Sequence, residues 1–237
     1  MNPLICARCG EFTDRPGVDA ADPAGAVLYC ADCGHREPFR RLPLLCVTGP
    51  SGTGKSTVAR LLLDSLSQRF VVLEQDLLWT GGLRDSDTEH PLFRTTWLRT
   101  AAMIQQNGRP VVLCGTVVPP EFEDLPERAL FSDIRYLALT CDPEVLATRL
   151  RARPAWRQWD EPRIAEMLDY ARWVEESAHE MEPPVELLDT TGVPAERTAD
   201  QVARWAVRAA SANDAPPAPD QRSGAAGVSA RDSTPPH

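Results

Sequence analysis

The sequence predicts an α/β fold: a five-stranded parallel sheet with helices on both faces, a three-layer sandwich. Three observations predict it. Short apolar runs of four to seven residues alternate with stretches of helical periodicity, as expected of strands buried on both sides and joined by helical crossovers. A strand, a glycine-rich turn and a helix follow directly at residues 42–68. The length of 237 residues suits one such domain plus a small appendage, with core enough to fold without disulfides.

Residues 1–41 come first, with few apolar residues and two cysteine pairs, and Pro38 to Pro43 reads as a short connector. The main domain is expected over residues 42–210. Its strands are predicted at Leu42 to Thr48, Phe70 to Glu74, Pro110 to Cys114, Ile134 to Thr140 and Val185 to Leu188. A helix from the glycine-rich turn to about Gln68 places Val58, Leu61, Leu62 and Leu66 on one buried face. A second spans Leu92 to Asn107, with Gly108 as a left-handed cap. A third begins at Asp142, with Pro143 as first helical residue and Val145, Leu146 and Leu150 inward. Two more are predicted from about Asp160 to Glu180 and from about Pro194 to Ala210. The stretch 211–237 is rich in Ala, Pro, Ser, Gly and Asp and nearly lacks large apolar residues, so burial cannot offset its ordering entropy and it is expected to be a disordered tail.

The formal charge of −9 argues against a surface built for phosphate backbones, so small molecules are the expected substrates and nucleic acid is not an expected partner. No basic leader and no apolar run of bilayer length occurs, which points away from a membrane and toward the cytoplasm. Seven cysteines, four of them in two C-x-x-C pairs, suit a reducing compartment.

The chain's 25 basic residues include one lysine, Lys55. It lies in Gly49-Pro50-Ser51-Gly52-Thr53-Gly54-Lys55-Ser56, followed by Thr57, a complete G-x-x-x-x-G-K-S phosphate loop. Such a turn aims backbone N–H groups and a helix N-terminus at one anion. Lys55 is expected at the β- and γ-phosphates, the Ser56 hydroxyl on a magnesium ion, and Thr57 in support of the turn. These residues imply a nucleotide-dependent enzyme with ATP and Mg2+. With no other lysine, the Asn-Lys-x-Asp guanine signature of GTPases cannot occur. The D-x-x-G at Asp189 to Gly192 follows the last strand and is read as accidental. The run Val111-Val112-Leu113-Cys114-Gly115 ends without the acidic pair of a processive motor.

The pattern resembles the P-loop NTPases that act as small-molecule kinases: nucleoside monophosphate, shikimate and gluconate kinases and chloramphenicol phosphotransferase. The resemblance spans roughly residues 42–210. It rests on the phosphate loop, on Asp76 just past the second strand, on Arg149-Leu150-x-x-Arg153 and on Leu188-Asp189-Thr190-Thr191-Gly192. It implies that the arginine segment belongs to a lid over the nucleotide phosphates and that residues 189–194 pack the base.

The residues support those roles. Arg149 and Arg153 are four apart and predicted on one helix face, so two forked donors converge on one phosphate, whereas Arg151 points elsewhere and Arg157 lies in or beyond a Pro-interrupted turn. The alternative is a solvated, ion-paired face. Asp76 stands at the strand edge where open α/β sheets assemble their sites. It either accepts a proton from an acceptor hydroxyl or orients a magnesium-bound water, and the bland reading is a turn aspartate. Glu74 is a weaker candidate. The acceptor lining is predicted among Trp79, Arg84, Arg94, Trp97, Gly115 and Thr116, with Gly81 and Gly82 as a hinge.

Cys6, Cys9, Cys30 and Cys33 match the C-x2-C-x15–20-C-x2-C spacing of a four-thiolate zinc site, with Gly10 and Gly34 after each pair, and the segment resembles a zinc ribbon. Four thiolates leave no open coordination position, so the Zn2+ is expected to fold the module rather than catalyse. A protein partner or a structural cap suits its balanced charge. Cys46, Cys114 and Cys141 are read as buried packing, and His90 and His179 as ordinary surface residues.

The resulting expectation is a phosphotransferase moving the γ-phosphate of ATP to a small hydroxyl- or phosphate-bearing acceptor, with Lys55, Asp76, Arg149 and Arg153 catalytic. The alternative is an ATP-dependent binding switch that engages a protein through the ribbon, and a kinase of nucleic-acid ends stands third.

Overall fold

The structure, a computed structural model, describes residues 2–21, 26–80, 82–83 and 90–211. The expected tail beyond residue 211, together with Gly81 and Arg84, lies outside the described residues.

Three short strands come first, β1 (Val18–Asp19), β2 (Val27–Tyr29) and β3 (Arg36–Pro38), paired antiparallel in that order. The main sheet follows, with β4 (Leu44–Thr48), β5 (Val71–Glu74), β6 (Val111–Cys114), β7 (Ile134–Thr140) and β8 (Val185–Asp189). It is parallel throughout, in the order β5-β6-β4-β7-β8. Its middle strand β4 is wholly buried, which explains why Leu-Leu-Cys-Val-Thr shows no polar alternation.

The crossovers are α1 (Lys55–Leu66), α2 (Asp76–Thr80), α3 (Pro91–Gln105), α4 (Pro120–Glu123), α5 (Pro143–Arg151), α6 (Glu161–Ser177) and α7 (Ala195–Ser211). The strands and long helices fall within a few residues of their predicted positions. The sequence reading missed α2 and α4, each five residues or fewer, too short to show helical periodicity. Asp142 caps α5 through the N–H groups of Glu144 and Val145, and Asp160 caps α6 through that of Arg163; such caps contribute about 1 kcal/mol each. Gly108 has φ +84° just past α3, the left-handed cap its position predicts.

Two cores flank the sheet. On one face α1 and α7 pack Val58, Leu62, Leu66, Val202 and Trp205 against Leu45, Val47 and Val112. On the other, Phe93, Trp97, Leu98 and Ala101 of α3 share a cluster with Leu44, Cys46, Leu113, Phe122 and Val174. Cys46 and Cys114 therefore lie on opposite faces, as the register pairing Val47 with Cys114 requires, and Cys141 belongs to a third cluster with Leu146 and Leu150. All three thiols are buried.

Candidate functional site

The site forms where β4 gives way to α1. Gly49 has φ +118°, a conformation L side chains rarely adopt, and a Cβ there would run into the Leu139 carbonyl. Gly54 caps α1 with φ 105°, so the loop turns sharply and the first amides of α1 face inward. Residues Ser51 to Val58 line a cavity of about 410 Å3, together with Asp76, Thr116, Arg149, Arg153, Thr190, Val193, Ala195 and Thr198.

Lys55 folds back on its own loop, its Nζ donating to the carbonyls of Gly49 (2.5 Å) and Pro50 (2.8 Å). Burial pushes its pKa down to about 8; Asp76, Cys114 and Glu74 pull it up, and Arg153 pushes it further down. The ammonium thus waits among carbonyls that a phosphate would replace as partner. Burial also drives the Cys114 thiol up to about 12, which keeps it protonated and inert.

The wall opposite is built by threonines, of which the sequence reading named Thr190 and Thr191 only as part of a segment and Thr116 as acceptor lining. Thr190, almost fully buried, donates to the Thr140 carbonyl (2.8 Å) and the Thr53 carbonyl (3.3 Å). Arg149 reaches its hydroxyl and carbonyl, both at 3.5 Å, and Thr191 accepts from the Asp142 N–H at 2.7 Å. Thr48 and Val117 exchange two hydrogen bonds, which ties the segment after β6 to the end of β4, and the Thr116 hydroxyl donates to the Gly49 carbonyl at 3.3 Å. The signal for the first group was present as Asp189-Thr190-Thr191-Gly192 after the last strand.

Arg149 and Arg153 do line the same cavity, but not through one helix face. α5 ends at Arg151, with Ala152 as its cap, because Pro154 disfavours helix for the residue before it. Arg153 enters from the following turn, where its guanidinium lies 5.7 Å from the Trp159 ring; burial and the nearby Arg157 lower its pKa. Arg151 turns outward to a bidentate pair with Glu161. Arg157, set aside in the sequence reading, reaches back across the cleft to Asp76, Nη1 to Oδ2 3.8 Å. Its guanidinium also lies over Trp156 at 4.6 Å.

The predicted acceptor lining separates. Trp97 is 2% exposed and belongs to the core. Arg94 is ion-paired with Glu121, which also accepts from the Val118 N–H. Gly115 adjoins the Gln75 side chain, which a Cβ would strike. Trp79 packs edge-on against His90 and Phe93, centroids 4.7 and 5.4 Å away. His90 is not an ordinary surface residue: it caps α3 in the left-handed region (φ 51°), and its buried Nδ1 has no hydrogen-bond partner among the described residues. His179 is exposed, 3.7 Å from Glu180.

In the N-terminal module the four cysteine sulfurs lie within 4.8 Å of one another. Cys6 and Cys33 are 3.6 Å apart, Cys9 and Cys30 3.8 Å. A tetrahedron of sulfurs about 2.3 Å from a zinc ion has edges of about 3.8 Å, so the donor set fits zinc. Each pair sits in a tight turn closed by the N–H of Gly10 or Gly34, both left-handed. The Cys9 N–H points at the Cys6 sulfur (3.5 Å) and, as the leading cause, holds that thiol down to about 6, whereas the Cys9 and Cys30 thiols are raised, against a backbone donor at each, by neighbouring thiols and burial.

Comparison with known proteins adds the family. A family model described as an AAA domain matches residues 45–171, from β4 into α6. This chain belongs to the AAA-domain family. Within it, the chain is a P-loop NTPase of the kinase-like kind: a shikimate kinase of Chlorobaculum tepidum is 32% identical over 145 residues, covering 53% of this chain and 73% of that protein. Among solved structures, a gluconokinase from Sinorhizobium meliloti 1021 has a TM-score of 0.49 at 20% identity, covering 74% of this chain and 98% of that one. A shikimate kinase from Acinetobacter baumannii in complex with shikimate has a TM-score of 0.45 at 18% identity, covering 72% and 96%. The family match ends before β8, so the Thr190 wall of this AAA-domain chain lies beyond it. Among the described residues, no helix is long and apolar enough to cross a membrane.

Proposed function

We propose that the protein is an ATP- and magnesium-dependent phosphotransferase that moves the γ-phosphate to a small hydroxyl- or phosphate-bearing acceptor. One observation carries the reading: the phosphate loop, Asp76, Arg149 and Arg153 line a single cavity. The 32% identity to a shikimate kinase supports it.

In this reading Lys55 leaves the Gly49 and Pro50 carbonyls for the β- and γ-phosphates, and the N-terminal amides of α1 take the remaining phosphate oxygens. The Ser56 hydroxyl would hold a magnesium ion, which would supply charge neutralisation at the phosphates. Arg149 spans from the Thr190 wall to the nucleotide, and Arg153 and Arg157 meet the charge that builds on the equatorial oxygens during transfer. Asp76 takes the proton of the attacking acceptor hydroxyl once the acceptor has drawn it from Arg157. The buried Thr190 and Thr48 keep the nucleotide wall and the phosphate loop in register. Closure of the 152–160 turn over the cleft excludes water, which would otherwise take the phosphoryl group. The zinc cysteines lie outside this chemistry and hold the N-terminal fold.

Incubation with γ-labelled ATP, magnesium and candidate acceptors tests the reading. Label carried into an organic acceptor by the wild type but not by Lys55→Met is the expected result. Label released only as inorganic phosphate, whatever acceptor is present, rejects it.

A further inference from the structure

We infer that the cysteine module is a positioning element for the acceptor side of the cleft, so that metal occupancy sets the order of α3. The inference rests on the phosphotransferase reading for the word acceptor, but its physical content does not.

Part of the module's apolar surface is turned onto the main domain, while Ile5, Phe12 and Tyr29 stay exposed. Leu28 and Phe39, 9% and 5% exposed, belong to the same continuous cluster as Phe93, Trp97, Ala101 and Ala102 of α3, with Val18 packed against it. A module of about forty residues buries too little to hold this shape alone and depends on its metal. The connector is fixed at two further points. Arg40 and Gln106, just past α3, exchange two hydrogen bonds, the Arg40 N–H to Oε1 (3.0 Å) and Nε2 to the Arg40 carbonyl (3.1 Å). Arg41 donates to the Ala129 and Phe131 carbonyls at 2.8 and 2.6 Å.

The clamp therefore grips the C-terminal end and inner face of α3. The other end of that helix begins at His90 and Phe93, which pack on Trp79 of α2, the helix that Asp76 opens. A helix is stiff over its length, so restraint at one end is felt at the other. The phosphate-loop side is independent: among the described residues, none of the module's buried side chains joins the cluster that α1 and α7 form. Metal loss should thus loosen α3 and the aromatic contact beside Asp76 and leave nucleotide binding intact.

The test uses the full chain, metal analysis and hydrogen exchange, none of which needs turnover. The purified protein should carry about one zinc ion per chain. Stripping it with a chelator should speed amide exchange in residues 91–105 about tenfold or more, while α1 exchange and affinity for fluorescent ATP change by less than about twofold. Phe39→Ala should keep its zinc, exchange faster over 91–105, and no longer respond to the chelator; circular dichroism checks that it folds. A protein without zinc, an α3 that stays protected after zinc loss, or exchange that rises equally in α1 would each overturn the inference. A protein that passes these tests yet transfers no phosphate would leave the clamp standing and reject the kinase reading alone.

Discussion

Lys55 carries most of what a single residue decides here. Its amine sits on two loop carbonyls with a pKa near 8, and triphosphate binding needs it charged. Below pH 8 it is protonated in the empty site; above, nucleotide binding must take up a proton. Affinity for ATP should therefore be level from about pH 7 to 7.5 and weaken by up to about tenfold per unit as pH rises past 8, measured by fluorescent-nucleotide titration. Lys55→Met should lower turnover by about 10²-fold or more with an unchanged circular dichroism spectrum. Arg157 offers the second residue-scale test. Its pair with Asp76 is long and half-exposed, worth about 0–1 kcal/mol at most, so Arg157→Ala should lower the melting temperature by no more than about 4 °C. If the guanidinium meets the transferring phosphoryl, kcat should nevertheless fall about tenfold or more; an unchanged kcat would reduce the pair to a surface contact.

At the scale of elements, α5 is held at its N-terminal end by short polar devices beside the cleft. Its cap Asp142 also donates its own N–H to the Thr191 hydroxyl, so the helix start and the Thr190–Thr191 wall are fixed together. Asp142→Ala should cost about 1 kcal/mol, a fall of about 2–4 °C in melting temperature, with KM for ATP rising more than kcat falls; equal KM values would separate the cap from the site. The helix and strand positions were legible because burial on both faces writes itself as apolar runs, and because Pro143 and Gly108 are end signals with one physical meaning. The far end of α5 was misread: a four-residue spacing predicts one face only while the helix lasts, and Pro154 ends it early. The role of Thr190 and the Arg157 contact were illegible for a different reason. Each depends on chain segments more than eighty or a hundred residues apart in sequence, Thr190 meeting Thr53 and Arg157 meeting Asp76, and no local pattern marks such meetings.

For the molecule as a whole, three layers divide the labour. One face of the sheet, with α1 and α7, supports the phosphate loop. The other carries α3 and part of the cysteine module, with Trp79 packed against the same cluster, and the turn after α5 brings Arg153 to the cavity. With a net charge of −9, the proposed reading has an anionic nucleotide drawn by local groups, Lys55, Arg149 and Arg153, rather than by the field of the whole protein. The sequence contained the phosphate loop and the four cysteines in full, since each is a contiguous motif whose spacing is its geometry. The acceptor surface was the least legible, because Trp97 and Arg94 look alike as helix residues until the fold buries one and pairs the other. The most direct measurement is ADP release from ATP and magnesium across a panel of nucleosides, nucleotides, sugars and aminoglycoside-like alcohols, against an acceptor-free control. Stimulation of about tenfold or more by one chemical class, absent in Lys55→Met, is the result predicted here. Tight ATP binding with uniformly slow release, the same with every acceptor, would contradict phosphotransfer and leave a nucleotide-dependent switch in its place.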